Sequence, residues 1–289
     1  MIGCIMVLYN PNQGLLLRAL NALSEQVDII YLIDNSTADN RPILPSIENL
    51  EYIPLGENRG IAEAQNIGIA HLLSLHYDYI LLADQDSIAT HNLVNELKRR
   101  HRILSRTYDV AAVGPMPINR HTGIPYVGSK DERVLRHLQI EGYDFWETHS
   151  IIASFSLISA AALQHTGPMK ESLFIDFVDQ EWCWRARQNG LKVFIAPDLN
   201  FQHEQGRHLS IFGLALKIST PARLYFQIRN LLWLADQSYT PRSWRRKCIR
   251  KMCYKIIGYP LLIAPRNAYI KSIVKGLRDG FFTQYKRLI

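Results

Sequence analysis

The sequence predicts an α/β fold, a mostly parallel central sheet flanked by helices, with a helical extension at the C-terminal end. Three observations carry this expectation. Strand-length apolar runs alternate with helix-period segments through roughly the first 115 residues, the order that builds a parallel, doubly wound sheet. The first four of these strands all end in polar residues, and in open α/β sheets the carboxyl ends of the strands are where ligands bind. The fourth strand ends in two carboxylates one residue apart, Asp84-Gln85-Asp86.

The elements follow in order. Ile2–Tyr9 reads as a strand, because it lacks the basic leader and cleavage pattern of a signal peptide. Asn10-Pro11-Asn12 is a turn that can open a helix over Leu15–Ser24. Ile29–Ile33 is a second strand, ending in Asp34-Asn35-Ser36, and Leu50–Pro54 a short third. After Asn58-Arg59-Gly60, the residues Ile61, Ala64, Ile67 and Ile69 to Leu73 form a helical apolar face, with Gly60 permitting close backbone approach at its start. Tyr77–Ala83 is the fourth strand, Asn92–Ser105 a helix and Val110–Pro115 a strand. Between Asn119 and Thr148 we expect a loop. Its Tyr126, Lys130, Arg133, Tyr143 and Trp146 suit a sugar acceptor or an ordinary surface excursion equally. Glu181, Trp184, Arg185 and Gln188 recur at helical spacing, Gly190 is a C-terminal cap, and Lys192–Ala196 is a strand.

Composition bounds the class. With 289 residues and 47% hydrophobic content, the chain can bury one large core plus an extension. Cys4, Cys183, Cys248 and Cys253 form no C-x-x-C pair, which argues against a disulfide framework or zinc site and for a reducing compartment. No apolar stretch approaches the ~18 residues that a spanning helix needs. Charge is divided unevenly. Residues 1–240 carry 20 Lys and Arg against 25 Asp and Glu, whereas 241–289 carry 13 against a single acid, Asp279. The cations Arg242, Arg245, Arg246, Lys247, Arg250, Lys251 and Lys255 alternate with Trp244, Ile249, Met252, Tyr254, Ile256 and Ile257. That pattern suits an anionic bilayer surface; a packing helix with solvated cations is the alternative. The acidic body and the lack of an RNA-binding motif disfavour nucleic acid.

The strand-end residues define the chemistry. An Asp there can accept the imide N–H of a uracil or thymine ring, and an Arg can neutralise phosphate. No G-x-G-x-x-G or P-loop occurs. Asp84 and Asp86 offer hard oxygen ligands to a divalent ion whose other ligands are water and phosphate; taken alone, the tripeptide is an ordinary turn. His203 could supply a third ligand or be structural. Asp179, at a helix start, could cap free N–H groups or act as a general base.

In order and spacing, Val7-Leu8-Tyr9-Asn10-Pro11, Ile33-Asp34-Asn35-Ser36, Asn58-Arg59-Gly60-Ile61-Ala62 with Asn66-Ile67-Gly68, Asp84-Gln85-Asp86 and Asp179-Gln180-Glu181-Trp182 resemble the inverting family 2 glycosyltransferases of GT-A fold. The stretches Phe174–Cys183 and Pro221–Asn230 resemble the bacterial rhamnosyltransferase branch. The resemblance covers about residues 2–235. It implies a Rossmann-like catalytic domain over 1–235 and a basic amphipathic extension over 236–289. It implies that Tyr9, Asn10, Asp34, Asn35, Asn58, Arg59, Asn66, Asp84 and Gln85 meet the nucleotide sugar, Asp34 through its base. It further implies that Asp84 and Asp86 hold Mg²⁺ or Mn²⁺ and that Asp179 is the catalytic base; His203 stays the candidate third ligand read from the residues themselves. In the family motif E-D-x-D, Val178 here replaces the leading Glu and Glu181 the trailing Asp. Asp176, Glu181, Trp182, Arg223, Tyr225 and Arg229 are the candidate helper or acceptor-side residues. The implied donor is dTDP-L-rhamnose and the implied acceptor a lipid-linked saccharide of O-antigen or capsule assembly, at the cytoplasmic face of the bacterial plasma membrane. A UDP-sugar enzyme (galactofuranosyl or glucosyl) and a non-catalytic nucleotide-sugar or lipid-binding subunit are the alternatives. A homo-oligomer is compatible with the sequence.

Overall fold

The computed structural model describes residues 1–120, 122–128, 133–203, 208–211 and 214–285. The chain divides into two compact units. The first is Met1–Phe174 with Val178–His203, and the second Ile175–Phe177 with Glu204–Ile289.

The first unit is built on one sheet. Its strands are β1 (Ile2–Leu8), β2 (Ile29–Asp34), β3 (Leu50–Pro54), β4 (Tyr79–Asp84), β5 (Val110–Asn119), β6 (Val134–Ile140), β7 (Tyr143–Thr148), β8 (Ser156–Ser159) and β9 (Lys192–His203). Their order across the sheet is β3-β2-β1-β4-β8-β5-β9-β7-β6. The first four strands are mutually parallel, as are β5 and β9; β8 runs antiparallel between β4 and β5, and β7 antiparallel to β9. Helices α1 (Gln13–Ser24), α2 (Ile61–Ser74), α3 (Leu93–Leu104), α4 (Ala160–Thr166) and α5 (Val178–Gln188) connect them.

Local sequence explains these elements. The Asn12 side chain accepts the Leu15 N–H at 3.1 Å and caps α1, and Leu16, Ala19, Leu20 and Leu23 bury one stripe of that helix completely. Each such leucine contributes about 1.5–3 kcal/mol of apolar burial. Register then aligns the strand ends. Leu8 of β1 pairs with Asp34 of β2, and Val7 pairs with Asp84 of β4. Tyr9-Asn10, Asp34-Asn35 and Asp84-Gln85-Asp86 therefore leave the sheet at one edge. Strand β1 is flanked by β2 on one side and β4 on the other, which is the switch in strand order where α/β sheets open a crevice.

Three expectations are corrected. The segment Asn119–Thr148 is not one long loop, for it contains the β6–β7 hairpin, which widens the sheet. Tyr143 and Trp146 are engaged in that hairpin. Tyr143 lies under the Arg100 guanidinium, 3.4 Å from ring centroid to Cζ, and Trp146 packs against His137 at 5.1 Å. Lys130 lies outside the described residues. Strands β5 and β9 run past Pro115, Pro117 and Pro197, although proline cannot donate to a ladder. A register shift, in which Pro115 pairs with Ala196 and Met116 with Asn200, leaves Pro197 outside the ladder. Strand β8 is new; four residues are too short to give a periodic signal.

The second unit holds the hairpin β10 (His208–Ile211) and β11 (Leu214–Lys217), and helices α6 (Pro221–Ala235), α7 (Arg242–Leu262) and α8 (Arg266–Tyr285). Leu224, Ile228 and Leu231 of α6 form a core with Met252 and Tyr259 of α7, Ile263, and Tyr269 and Ile273 of α8. A Cβ at Gly276 would stand 3.0 Å from Ile228, and one at Gly280 2.7 Å from Leu232. The glycines thus let α8 lie directly on α6. Helix α6, assigned to the catalytic domain in the sequence reading, packs here with the tail helices. Among the described residues no helix is long and apolar enough to cross a membrane.

Candidate active site

Backbone and amide bonds among the strand-end loops of the first unit build the site. Asn10 adopts left-handed backbone with φ of 45°, and its N–H donates to the Ser36 hydroxyl at 2.8 Å. Gln85 grips the end of β1, accepting the Tyr9 N–H at 2.8 Å and donating to the Tyr9 carbonyl at 3.2 Å. Asn35 donates to Asn58 Oδ1 at 3.0 Å and accepts the Arg59 N–H at 2.7 Å. Those bonds tie the β2 edge to the loop before α2. The Arg59 guanidinium, about 40% exposed, pairs with Glu57 at 3.1 Å and Glu63 at 3.5 Å.

Asp34 is turned inward. Only 1% exposed, it accepts from the Ser36 N–H at 3.0 Å, from Asn40 Nδ2 at 2.8 Å and from the Tyr52 hydroxyl at 2.6 Å. Burial alone would raise its pKa, but the combined hydrogen bonds of Tyr52, Asn40 and Ser36 outweigh it and hold the carboxyl below the usual range. Tyr52 is absent from the sequence candidates, since nothing in a short strand marks one tyrosine as a carboxylate partner. Asn66 is also committed to scaffold, bonding the Met169 carbonyl and the Glu171 carboxylate at 2.9 Å each.

Asp84 and Asp86 stand at the end of β4, the former half-buried and the latter exposed. The Ser154 hydroxyl donates to Asp84 Oδ2, and Ser87 lies 3.2 Å from Ser154. Ser154 has a single hydrogen, spent on the carboxylate, so Ser87 is the donor in that second bond. Desolvation raises the Asp84 pKa, Ser154 and then His203 oppose the rise, and Asp86 adds to it. Thus β4, the segment before β8 and the end of β9 bring Asp84, Asp86, Ser154 and His203 into electrostatic contact. Ser154 too escapes the sequence reading, which has no means of pairing residues 84 and 154. His203 Nδ1 is buried with no hydrogen-bond partner. Among the described residues, no group of three or more His, Cys, Asp or Glu is close enough to hold a metal by itself. Two carboxylates and an unpartnered imidazole nitrogen nonetheless fit a divalent ion completed by water and phosphate.

Asp179 lies in the first turn of α5, where the macrodipole favours an anion. It accepts the Gln180 N–H at 2.9 Å. The chain reaches α5 along α2. A Cβ on Gly60, whose φ is 86°, would lie 2.6 Å from the Phe174 ring, and the Ile61 N–H donates to the Phe174 carbonyl at 2.7 Å. Gly60 is therefore the seat of Phe174. Two α5 neighbours of the candidate base are structural in their contacts. Glu181, fully buried, pairs with Arg185 at 3.0 Å and Lys170 at 3.3 Å. Trp182 is 1% exposed with its indole N–H on the Gly167 carbonyl at 2.9 Å, so it presents no surface to an acceptor. Gly190, with φ of 86°, ends the helix as its position foretold.

The remaining candidates belong to the second unit. Asp176 is paired with Arg223 at 2.8 Å. The Tyr225 hydroxyl donates to Asp279 at 2.9 Å, and the Arg229 guanidinium lies over Phe226 at 4.9 Å.

A family model described as glycosyl transferase family 2 matches residues 4–167, more than half of the chain. The chain belongs to that family. It is 30% identical to the dTDP-rhamnosyl transferase RfbF of Shigella flexneri over 287 residues, which cover 96% of this chain and 95% of that one. It is 25% identical to the low-salt glycan biosynthesis hexosyltransferase Agl10 of Haloferax volcanii over 261 residues, 86% and 81% of the two chains. Among solved structures, S. aureus TarS matches with a TM-score of 0.56 at 13% identity, covering 96% of this chain and 49% of that one. GalNAc-T7, solved with UDP, GalNAc and Mn²⁺, matches with a TM-score of 0.57 at 15% identity, covering 90% and 57%. The chain thus spans about half the length of those two structures. At these identities the likeness establishes the fold, a GT-A glycosyltransferase fold, as the resemblance implied.

Proposed function

We propose that this glycosyltransferase is a metal-dependent, inverting rhamnosyltransferase that moves L-rhamnose from dTDP-L-rhamnose to a lipid-linked saccharide in surface-polysaccharide synthesis. The observation that carries the donor is the 30% identity to a dTDP-rhamnosyl transferase over nearly the whole of both chains. Asp84 and Asp86, with His203, would hold Mg²⁺ or Mn²⁺; the ion supplies positive charge to the diphosphate leaving group. The fit rests on the hard donor set and on the unpartnered His203 Nδ1. Gln85, Asn35 and Asn58 shape the strand-end loops around the nucleotide. In this reading Asp34 acts by ordering the 35–40 loop, since its carboxylate is already satisfied. Asp179 takes the proton of the acceptor hydroxyl as that oxygen attacks the anomeric carbon from the face opposite the leaving group. A single displacement inverts the centre, so a β-linked donor yields an α-L-rhamnoside. The exposed cations and apolar residues of α7 would meet an anionic membrane surface at the cytoplasmic face, where a lipid-linked acceptor resides.

The test is a hydrolysis and transfer screen with several nucleotide sugars in Mn²⁺ or EDTA. dTDP-L-rhamnose should be consumed fastest, Asp86→Ala and excess EDTA should abolish turnover, and Asp179→Asn should keep donor binding while losing transfer. Full turnover in EDTA would refute the metal role. Preference for a UDP-sugar would replace the donor.

A further inference from the structure

Two short turns of the first unit meet at the end of β4. One is Asp84-Gln85-Asp86-Ser87, closed by the Ser87 N–H on the Asp84 carbonyl at 3.2 Å. The other spans 153–156, is closed by the Ser156 N–H on the Ala153 carbonyl at 2.9 Å, and leads into β8. Sheet register brings them together. Strand β4 pairs antiparallel with β8 from Tyr79 opposite Ser159 to Leu82 opposite Ser156. Two steps further along that register Ser154 falls opposite Asp84, and opposite residues of an antiparallel pair direct their side chains to one face. A slip of one residue would offer Ala153 or Phe155 instead, and neither carries a hydroxyl.

The second turn is over-determined. Phe155 holds left-handed backbone, with φ of 58°, which a residue with a Cβ keeps only where its surroundings demand it. Its N–H donates to the Leu82 carbonyl at 2.7 Å, and its fully buried ring meets Phe201 of β9 edge-on at 4.8 Å. Phe201 in turn lies 5.9 Å from the His203 ring, whose Nδ1 is buried with no partner among the described residues. One aromatic post thus braces both the turn that carries Ser154 and the strand end that carries His203.

The hydroxyls form a directed chain. Ser87 and Ser154 are each 1% exposed and 3.2 Å apart; Ser154 gives its one hydrogen to Asp84 Oδ2, so Ser87 donates to Ser154. Bonds in such a chain strengthen one another. Two buried hydroxyls that satisfied only each other could be exchanged for apolar groups at little cost. This pair ends on a carboxylate and gives it a direction. We propose that Ser154, backed by Ser87, is a positioning residue for the metal: by holding Oδ2 it fixes the rotamer of Asp84 and leaves Oδ1, beside Asp86, for the ion. Outer partners of this kind set how well a ligand is placed before the ion arrives. The inference rests on the reading of Asp84 and Asp86 as metal ligands.

The experiment uses the full chain with Ser154→Ala, Ser87→Ala and Asp86→Ala. Mn²⁺ binding is read from the EPR signal of the free ion in saturating dTDP, dTDP binding by calorimetry in EDTA, and folding by thermal melts. We expect Ser154→Ala to raise the Mn²⁺ Kd by roughly ten- to a hundred-fold, with dTDP affinity in EDTA unchanged. Hydrolysis of dTDP-L-rhamnose should need correspondingly more Mn²⁺ to reach half its maximal rate, while the rate at saturating Mn²⁺ stays near the parent's. General loosening of the fold would not produce that split. Ser87→Ala should weaken Mn²⁺ binding by less, since the bond from Ser154 to Asp84 survives it. Parental Mn²⁺ affinity in Ser154→Ala overturns the proposal. An equal loss of dTDP binding in EDTA also overturns it, because the turn would then support the fold and not the ion. If Ser154→Ala does not fold, Ser87→Ala decides: weakened Mn²⁺ binding upholds the chain of hydroxyls and parental binding overturns it. If Asp86→Ala binds Mn²⁺ like the parent, the metal reading itself has failed and the proposal falls with it.

Discussion

Asp34 keeps its charge in the interior because three donors outbid the cost of burial, and that balance has a pH signature. A carboxyl whose folded pKa is depressed adds stability above its unfolded pKa, near 4, and loses it as pH falls through the folded value. Tyr52→Phe removes the 2.6 Å donor. We expect it to cost about 1.5–3 kcal/mol at neutral pH, the range for hydrogen bonds to charged groups, and progressively less below pH ~4. Denaturant melts at pH 7 and pH 3 check this, and a pH-independent cost would show that packing of the ring, not the charge, is what Tyr52 supplies. Asp84 shows the opposite displacement, with desolvation raising its pKa. A bound cation needs the ionised form, so metal binding should weaken as the solution is acidified, with proton release growing as the pH falls toward that raised value. Calorimetric Mn²⁺ titrations in two buffers of different ionisation enthalpy measure that proton directly.

Helix α5 joins chemistry to scaffold within eleven residues. Asp179, the proposed base, lies in its first turn, whereas Glu181 is fully buried between Arg185 and Lys170. Arg185 also donates to the carbonyls of Thr166 at 2.5 Å and Pro168 at 2.7 Å. At the far end Arg187 reaches Glu147 of β7 at 3.2 Å. Breaking a buried pair from one side leaves uncompensated charge and costs roughly 3–5 kcal/mol. Lys170 and Arg185 keep partial access to solvent, so Glu181→Gln should fall at the lower edge, about 3 kcal/mol. The kcat of the folded fraction should be unchanged. A lowered kcat at full stability would instead restore Glu181 as a helper in catalysis.

The whole molecule carries its charge at one end of the sequence, and α7 displays it. Arg246, Lys247 and Arg250 are exposed on the first half of that helix, followed on the same face by Tyr254, Ile257 and Leu261, each more than 60% exposed. Each cation contributes roughly 1 kcal/mol near an anionic surface, fading within a Debye length of about 8–10 Å. Truncation at residue 240 is a poor probe of this surface, because α6 shares its core with α7 and α8. Substituting exposed side chains leaves that core intact. We expect the full chain to co-sediment with anionic vesicles at low salt and to be released by high salt, and Lys247→Gln/Arg250→Gln/Tyr254→Ser/Ile257→Ser to remain in the supernatant. If the unaltered chain stays in solution under all these conditions, the face has another use.

The sequence by itself determined the alternating strands and helices of the first 115 residues, the strand-end clusters, the carboxylate pair 84/86 and the helix that begins near Asp179. Those features are local: they depend on periodicity, turn residues and caps within a few positions of one another. Only the tertiary structure decided what each polar group faces. It gave Asp34 and Asn66 hydrogen-bond partners within the protein, joined Ser154 and His203 to Asp84 across the sheet, buried Glu181 and Trp182, and set Arg223 on Asp176. It also made a hairpin of the stretch expected to be a loop, because Tyr143 and Phe145 are retained by burial on a neighbouring strand and by Arg100, distant in sequence. A side chain's partner across 70 residues depends on register and packing, which no local pattern encodes, whereas the period of a strand is written in the strand itself.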